Sequence, residues 1–162
     1  DIAIDLKAPV TDAIEMLRRG LPPGIRLTAE IEPVPMPVVS APVKILQIVA
    51  NLVANATKAI GNRPLGGEIA IRLAASADLD GYLLEVADDG PGIAPELQEK
   101  IFEPFFSNQS AEGGKGLGLP SVLSLARGLG GKVSVLSRVG KGARFIVFLP
   151  RPAENPEANL AD

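Results

Sequence analysis

The chain has 162 residues, of which 46% are hydrophobic, 16 are basic and 19 are acidic, and it contains neither cysteine nor histidine. A chain of this length is expected to form one domain with a substantial core. The net charge of −3 argues against nonspecific nucleic-acid binding, which requires a basic surface. Disulfides, Ser-His or Cys-His catalysis and His- or Cys-ligated zinc are excluded, so the reactive groups must be carboxylates, amides, Lys, Arg or backbone N–H.

The composition also bears on location. No window reaches the roughly 18 to 20 uncharged apolar residues of a membrane span. The first residues, DIAIDLKAPV, begin with an acid and lack the basic region of a signal peptide. The absence of cysteine fits a reducing compartment.

The first part of the chain is predicted to contain a helix and one clear strand. The segment Val10 to Arg19 has helical spacing and ends at Gly20. Ile25 to Ile31 alternates apolar and polar residues, which is typical of a half-buried strand. The prolines that follow leave only a short edge strand around Met36 to Val39.

The stretch Lys44 to Ile60 is predicted to be the central helix, beginning near Pro42 and ending at Gly61. Its apolar residues recur every three or four positions, which predicts one buried face. The opposite face carries a polar row, which we define as Gln47, Asn51, Asn55 and Lys58. Asparagines are poor helix formers, so the row is either selected for ligand contact or is a capping or packing pair, and this helix alone leaves both open.

The second part of the chain predicts two strand hairpins separated by loops and a helix. Short connections between consecutive strands imply antiparallel pairing. We therefore expect an α/β (α+β) sandwich with a mixed, mostly antiparallel sheet of about five strands and helices on one face. Residues 1–150 would form the domain and 151–162 a flexible tail. The predicted elements are strands Glu68 to Ala75 and Tyr82 to Ala87, a helix Pro95 to Ile101, a mobile loop Glu103 to Lys115, a helix Gly116 to Leu129, and strands Lys132 to Ser137 and Ala143 to Leu149.

Two glycine-rich segments suggest contact with a nucleotide. Asp88, Gly90 and Gly92 follow a strand, so the carboxylate could accept a hydrogen bond from a ring amine while the glycines let the backbone approach the ring. Taken alone, this segment is a weak signal that favours a plain Asp-Gly turn. The glycines between Gly113 and Leu119 lie before a helix, where their N–H groups could cradle phosphate. Neither a Walker loop nor a dinucleotide fingerprint is present.

Taken in order, the segments NLVANATKA, DDGPGI, IFEPFFS, GKGLGL and GKGARF resemble the ATP-binding catalytic domain of sensor histidine kinases. That family lies within the superfamily of gyrase, Hsp90 and MutL, and the resemblance spans roughly Asp5 to Pro150. It implies a Bergerat-type fold with a mobile ATP lid, and Mg²⁺ and ATP as cofactors. The γ-phosphate would pass to a histidine on a separate helical dimerisation domain of the same protein. A response regulator would be an indirect partner. The domain itself would be cytoplasmic and monomeric, without membrane or nucleic-acid contact, although the parent protein could be a membrane-bound sensor.

The resemblance also implies roles for individual residues. Asn55 would bind Mg²⁺, and Asn51 would be the catalytic position, near the metal or the γ-phosphate. Lys58 would pair with phosphate, and Asp88 would hold the adenine amino group. The remaining predicted contacts border the purine or the lid and phosphates: Gly90, Gly92, Ile93, Phe102, Gly114, Lys115, Gly116, Leu117, Gly118 and Leu119. Phe105 and Phe106 would help anchor the lid, or simply pack on the core.

Three positions depart from the family pattern. Ala41 replaces an acid that usually caps the central helix, so we expect weaker capping there unless Ser40 substitutes. Gln109 replaces a common lid lysine, for which Lys115 could substitute, and Asp89 stands where Asn is usual.

Three other functions are considered. An anti-sigma-type serine kinase shares the fold, but its lid is usually shorter than the one predicted here. A nucleotide-binding regulatory module without transfer activity receives slight support from Gln109 and Ala41. A gyrase-type ATPase is disfavoured, because Asn51 stands where such enzymes carry a glutamate and an amide cannot act as a general base.

Overall fold

The computed structural model describes residues 2–61, 63–106 and 118–153. Most of the expected lid and most of the expected tail lie outside these ranges. The strands are β1 (Ile2–Asp5), β2 (Ile25–Ile31), β3 (Pro37–Ser40), β4 (Gly67–Ser76), β5 (Gly81–Asp88), β6 (Lys132–Ser137) and β7 (Ala143–Pro150). The α-helices are α1 (Lys7–Arg19), α2 (Pro42–Ile60) and α3 (Gly118–Gly128), and two 3₁₀ helices span Pro95–Leu97 and Lys100–Phe102.

The main sheet has five strands in the order β2-β4-β5-β7-β6. β2 pairs with β4 in parallel, and every other neighbouring pair is antiparallel. The mixed, mostly antiparallel sheet expected from the sequence is therefore confirmed.

One face of this sheet is covered by the helices. Alternate residues of the central strands are buried, for example Ile71, Leu84 and Val147, together with Leu52 of α2 and Val122 of α3. The intervening residues, such as Arg72 and Arg144, lie on the other face, which we call the open face. Helices on one face of an α/β sandwich are thus confirmed, and α2 crosses the middle of the core.

A second, two-stranded sheet was not predicted. β1 pairs antiparallel with β3, with Ile4 opposite Val38, so β3 joins this small sheet and is not an edge of the main one. The small sheet is tied to the main sheet by Tyr82, whose hydroxyl donates a hydrogen bond to the Pro37 carbonyl at 3.0 Å. Four residues of sequence, IAID, carry too little alternation to predict a strand.

One helix prediction needs correction, and the weak capping expected at α2 is confirmed. The helix expected over Pro95 to Ile101 is replaced by the two 3₁₀ helices, and the cap residue of the first, Ala94, provides no side-chain hydrogen bond. So short a segment gains little from helical hydrogen bonds without a cap. At α2, the cap residue Ala41 also lacks a side-chain bond, and Ser40 does not compensate, because its hydroxyl donates to the Ala41 carbonyl at 3.1 Å.

Helix α2 meets the length and hydropathy of a membrane span, with 19 residues and a mean hydropathy of 1.2. This does not contradict the sequence expectation, which concerned uncharged apolar windows, because α2 contains Lys44 and Lys58. Seven of its residues are nevertheless buried in the core described above, including Ile45, Val49 and Val53. The central helix of a globular domain meets the same criteria, so this finding is weak evidence for a membrane span.

Candidate functional site

The polar row of α2 lies at the margin of the core. Asn51 and Asn55 are half-buried, whereas Gln47 and Lys58 are exposed. Within the part of the chain that the structure describes, neither asparagine side chain forms a hydrogen bond or another polar contact. Two adjacent amides with unused donors and acceptors are therefore available to a ligand, which favours the ligand-contact interpretation over a capping pair.

Asp88 is the last residue of β5 and points toward the helices. The β5 residues on the helix-covered face alternate from Tyr82 to Asp88, and Asp88 is only 8% exposed. Burial raises the pKa of the Asp88 carboxyl above its ordinary value, while hydrogen bonds from the N–H groups of Gly90 and Ala143 act in the opposite direction. The Gly90 N–H lies 2.9 Å from the Asp88 Oδ1. A buried carboxylate held in this way can accept a hydrogen bond from an amine of a bound ring.

The loop after β5 lies directly against α2. A Cβ on Gly90 would come within 3.2 Å of the carbonyl group of Ala59, which is tighter than ordinary packing. Ala59 is the residue after Lys58, which is the last member of the polar row. The structure therefore brings Gly90, two residues after Asp88, close to the C-terminal end of that row.

The same loop is held from the other side by the turn between β6 and β7. A Cβ on Gly92 would overlap the carbonyl oxygen of Arg138, and a Cβ on Gly142 would overlap that of Asp88. Both glycines have φ of +79°, a conformation that favours glycine. Glycine is thus required at Gly92 and Gly142 both by backbone conformation and by close approach.

Two polar residues that sequence reasoning missed add hydrogen bonds between this loop and the turn between β6 and β7. The Ser137 hydroxyl donates to the Gly142 carbonyl and accepts from the Ile93 N–H, both at 2.8 Å. The Gln98 side-chain amide donates to the carbonyls of Ile93 and Ser137 at 3.1 Å. Ile93, one of the predicted contact residues, is thus held through its backbone. No local motif signals either residue, because the bonds between Ser137 and Ile93 and between Gln98 and Ser137 join segments about 40 positions apart.

Asp89, the position that departs from the usual Asn, forms an ion pair with Arg63. Arg63 donates to the Asp89 carbonyl at 2.8 Å and to its Oδ1 at 2.7 Å. The same Oδ1 accepts from the Glu68 N–H at 3.0 Å. We call Arg63 and Asp89 the clip, because they join the loop after α2 to the loop that follows Asp88. Sequence reasoning did not identify Arg63.

The aromatic residues before the lid pack unequally. Phe102 is half-buried, with its ring edge-on to Phe145 at a centroid distance of 6.2 Å, and Phe106 packs against the core. Phe105 is 75% exposed and has φ of +66°. The structure therefore supports packing for Phe102 and Phe106 and leaves Phe105 largely exposed.

The predicted phosphate segment is described only at its end. Gly118 begins α3 with open space around its Cα, and Leu119 is buried in the core at 9% exposure. Leu119 thus anchors the helix in the core. The other predicted residues of this segment, and the lid position that departs from the family pattern, lie outside the described residues: Gly114, Lys115, Gly116, Leu117 and Gln109.

The chemistry available at this site is that of binding and positioning. In residues 2–61, 63–106 and 118–153, no group of three or more carboxylates is arranged to hold a metal ion. Asn51 offers an amide, which has no basic group for proton abstraction. The arrangement can therefore bind a ring amine at Asp88 and a polar, anionic group along α2.

A comparison with protein families matches residues 40–153 to the family described as histidine kinase-, DNA gyrase B- and HSP90-like ATPases. The sensor kinase CckA of Brucella abortus is 39% identical over 128 residues, which are 71% of this chain and 13% of that protein. The sensory histidine kinase/phosphatase NtrB of Salmonella typhimurium is 35% identical over 145 residues, which are 85% of this chain and 40% of that protein. The chain thus spans less than half the length of either relative.

Solved structures of similar fold include histidine kinases. A mycobacterial sensor histidine kinase, MprB, superposes with a TM-score of 0.76 at 28% identity, covering 93% of this chain and 98% of that one. The catalytic domain of the histidine kinase ThkA gives 0.74 at 28% identity, covering 94% and 97%. Full-length ShkA in complex with AMPPNP gives 0.76 at 28% identity, covering 97% of this chain and 33% of ShkA.

Proposed function

Because the chain belongs to the family of histidine kinase-, DNA gyrase B- and HSP90-like ATPases, we propose that it binds ATP as the catalytic domain of a sensor histidine kinase. The observation that carries the proposal is the position of Asp88. This carboxylate is buried at the end of β5, and Gly90 two residues later packs on α2 beside the polar row. A single ligand with an amine-bearing ring and an anionic chain matches this arrangement.

In this proposal Asp88 accepts a hydrogen bond from the adenine amino group. Gly90 and Gly92 leave room for the ring, and Ile93 borders it. Lys58 pairs with a phosphate, and Asn51 orients the γ-phosphate. The roles of Phe102 and of the residues from Gly114 to Leu119 remain predictions from the resemblance.

The donor set is compatible with Mg²⁺ held largely by the nucleotide. Asn55 offers an amide oxygen, a ligand that this hard ion accepts. Since no cluster of carboxylates is present in the described ranges, the phosphates and water would supply the other ligands. When bound, the ion would neutralise phosphate charge.

The phosphoryl acceptor must lie outside this chain if it is a histidine, because the sequence contains none. We propose that it is a histidine of a helical dimerisation domain in the same protein, with a response regulator as the later recipient. The names of CckA and NtrB, a sensor kinase and a sensory histidine kinase/phosphatase, support this assignment. With no base at Asn51, transfer to a positioned acceptor is favoured over hydrolysis, and catalysis rests on positioning and charge neutralisation. We place the domain in the cytoplasm, as a monomer.

The first test is a titration of the domain with a nonhydrolysable ATP analogue, with and without Mg²⁺. We expect Asp88→Asn to weaken binding in both conditions, and Asn55→Ala to remove most of the strengthening that Mg²⁺ gives. Gln47→Ala is the control, since Gln47 lies in the same row but has no assigned contact. If the wild-type domain does not bind the analogue, nucleotide binding is wrong.

The second test uses radiolabelled ATP and the helical domain of the same protein. Label is expected on a histidine of the helical domain, only when both pieces are present, and not on this chain alone. Nucleotide binding without any labelled histidine would contradict kinase activity while leaving ATP binding intact.

A further inference from the structure

We propose that the domain has a second ligand site, on the open face of the sheet, for a small molecule that carries two or more phosphate charges. The site is a cleft of about 490 Å³. We call it the basic cleft and define it by Ala87, Leu136, Arg138, Lys141 and Arg144; Asp88 and the turn residues Ser137, Gly142 and Ala143 also line it. The inference goes beyond the proposed function and does not depend on it.

The basic cleft lies on the opposite side of the sheet from the proposed nucleotide site. Ala87 is paired with Arg144, and Arg144 with Leu136, so these three residues share one face. Asp88, the next residue of β5, turns its side chain to the helix-covered face. A ligand in the cleft would therefore approach from the face opposite the polar row, although it would border Asp88, which also lines the cleft.

Three cations converge on the cleft without counterions. Arg138, Lys141 and Arg144 are all exposed, and within the described ranges none of them forms an ion pair or donates a side-chain hydrogen bond. Glu85 lies on the same face one pair further along, opposite Ile146. The chain as a whole has a net charge of −3, so this local concentration of positive charge is not a consequence of composition.

The backbone beneath these cations is held in one conformation. The Gly140 N–H donates to the Pro91 carbonyl at 2.7 Å, and the Lys141 N–H donates to the Arg138 carbonyl at 2.9 Å. The Ser137 hydroxyl closes the turn on the Gly142 carbonyl. A preformed turn that carries two of the three cations lowers the entropy lost on binding an anion.

The shape and lining of the cleft favour a small ligand. Its volume is within the range of about 300 to 1,000 Å³ that is typical of small-molecule sites, whereas a stable protein partner needs about 800 Å² on each side. An arginine guanidinium group can bind phosphate through two parallel hydrogen bonds, whereas a single point charge cannot. Leu136 is 59% exposed and provides an apolar surface for the uncharged part of the ligand.

The turn also contacts the segment that holds Asp88. Gly142 is so close to the Asp88 carbonyl that a Cβ would overlap it. A ligand in the cleft would therefore touch the same turn that supports the nucleotide-site carboxylate.

The test is a titration of the ¹⁵N-labelled domain with inorganic pyrophosphate at physiological salt, without Mg²⁺. We expect saturable shifts of the amides between Ser137 and Arg144, and a loss of affinity of roughly tenfold for Arg144→Gln or Lys141→Gln. The matched control is Lys132→Gln, an exposed cation on the same face at the far end of β6, which should bind as the wild type does. Unchanged thermal unfolding of each variant shows that the fold is retained.

Four results would overturn the proposal. One is the absence of saturable binding, and another is an equal loss of affinity in the Lys132 control, which would indicate nonspecific attraction. The third is tighter binding of a glutamate-rich peptide of matched charge, which would indicate an acidic protein as the partner. Shifts confined to amides around Asn51 and Asn55 would also refute it, because pyrophosphate would then occupy the proposed nucleotide site.

Discussion

At the scale of single residues, Asp88 combines burial with a functional hydrogen bond. Burial raises the pKa of its carboxyl, so it takes up a proton at a higher pH than an ordinary aspartate. Protonation weakens it as an acceptor for the adenine amine. We expect the affinity for an ATP analogue to fall on acidification, beginning above the ordinary pKa of 3.8. The measurement is analogue affinity against pH, in which Asp88→Asn should bind weakly and show a flat profile over the same range.

The stability of the free domain separates this binding role from a structural one. Because the folded state holds the proton of Asp88 more tightly than the unfolded state, the residue stabilises the fold below about pH 3.8 and loses this contribution as the pH rises through its raised pKa. At neutral pH, Asp88→Asn should therefore unfold at the same or a higher denaturant concentration than the wild type. A large loss of stability in this variant would contradict the assignment, since weak binding would then reflect misfolding.

The Arg63–Asp89 clip makes a second residue-scale prediction. Both side chains are about half exposed, so the ion pair should stabilise the fold by less than about 1 kcal/mol. Its larger effect should be on the loop that follows Asp88, because Arg63 holds both the carbonyl and the carboxylate of Asp89. We expect Arg63→Met to weaken analogue binding roughly threefold while changing stability little, as measured by calorimetric titration and chemical denaturation.

The control for the clip is the neighbouring ion pair of Arg26 with Glu68, at 3.3 Å. Arg26→Met removes an exposed pair of the same kind without touching Asp89. If the two variants change nucleotide affinity equally, the effect is one of general charge, and the clip has no positioning role.

At the scale of elements, the β6–β7 turn is the support on which the Asp88 loop rests. Gly140 and Gly142 both have left-handed backbone angles, with φ of +83° and +79°. A Cβ on Gly140 would meet open space, whereas one on Gly142 would overlap the Asp88 carbonyl. We expect Gly140→Ala to destabilise the domain by about 1 kcal/mol, from the backbone angle alone.

Gly142→Ala should cost about 2 to 4 kcal/mol, because relief of the overlap requires β5 and β7 to separate where they pair. The two variants differ only in what surrounds the added methyl group, so each controls for the other in urea denaturation. Equal losses of stability in the two variants would mean that the close contact between Gly142 and the Asp88 carbonyl does not contribute to stability. A selective loss in Gly142→Ala, accompanied by weaker nucleotide binding, is the expected result.

The elements also show which parts of the fold were accessible from the sequence. α2, β4 and β5 were predicted nearly to the residue because each carries its own periodicity of buried side chains. β1 was missed because four residues become a strand only through pairing with β3. The site follows the same rule: the polar row and Asp88 are local patterns, whereas Ser137, Gln98 and Arg63 act through contacts that sequence spacing does not reveal.

At the scale of the whole molecule, a hydrogen bond from Tyr82 joins the small sheet to the main one. Tyr82 is fully buried, and its hydroxyl donates to the Pro37 carbonyl at 3.0 Å. Tyr82→Phe leaves that carbonyl without this donor, which should lower the free energy of unfolding by about 1 to 2 kcal/mol near neutral pH. Chemical denaturation gives this value, and an unchanged free energy would mean that the two sheets are held together by packing alone.

The pH dependence of stability tests the role of the Tyr82 hydroxyl most directly. Burial raises the pKa of the Tyr82 hydroxyl above 10.0, and Arg151, whose guanidinium lies 6.0 Å from the ring, opposes that shift. A raised pKa means that Tyr82 stabilises the fold below about pH 10 and loses this contribution as the pH rises through the raised value, so the wild type should lose its advantage over Tyr82→Phe at alkaline pH. The chain has one tyrosine, so ultraviolet absorbance of tyrosinate follows this group alone. Tyrosinate that forms at the ordinary pKa while the domain is still folded would show that the hydroxyl is not enclosed between the two sheets.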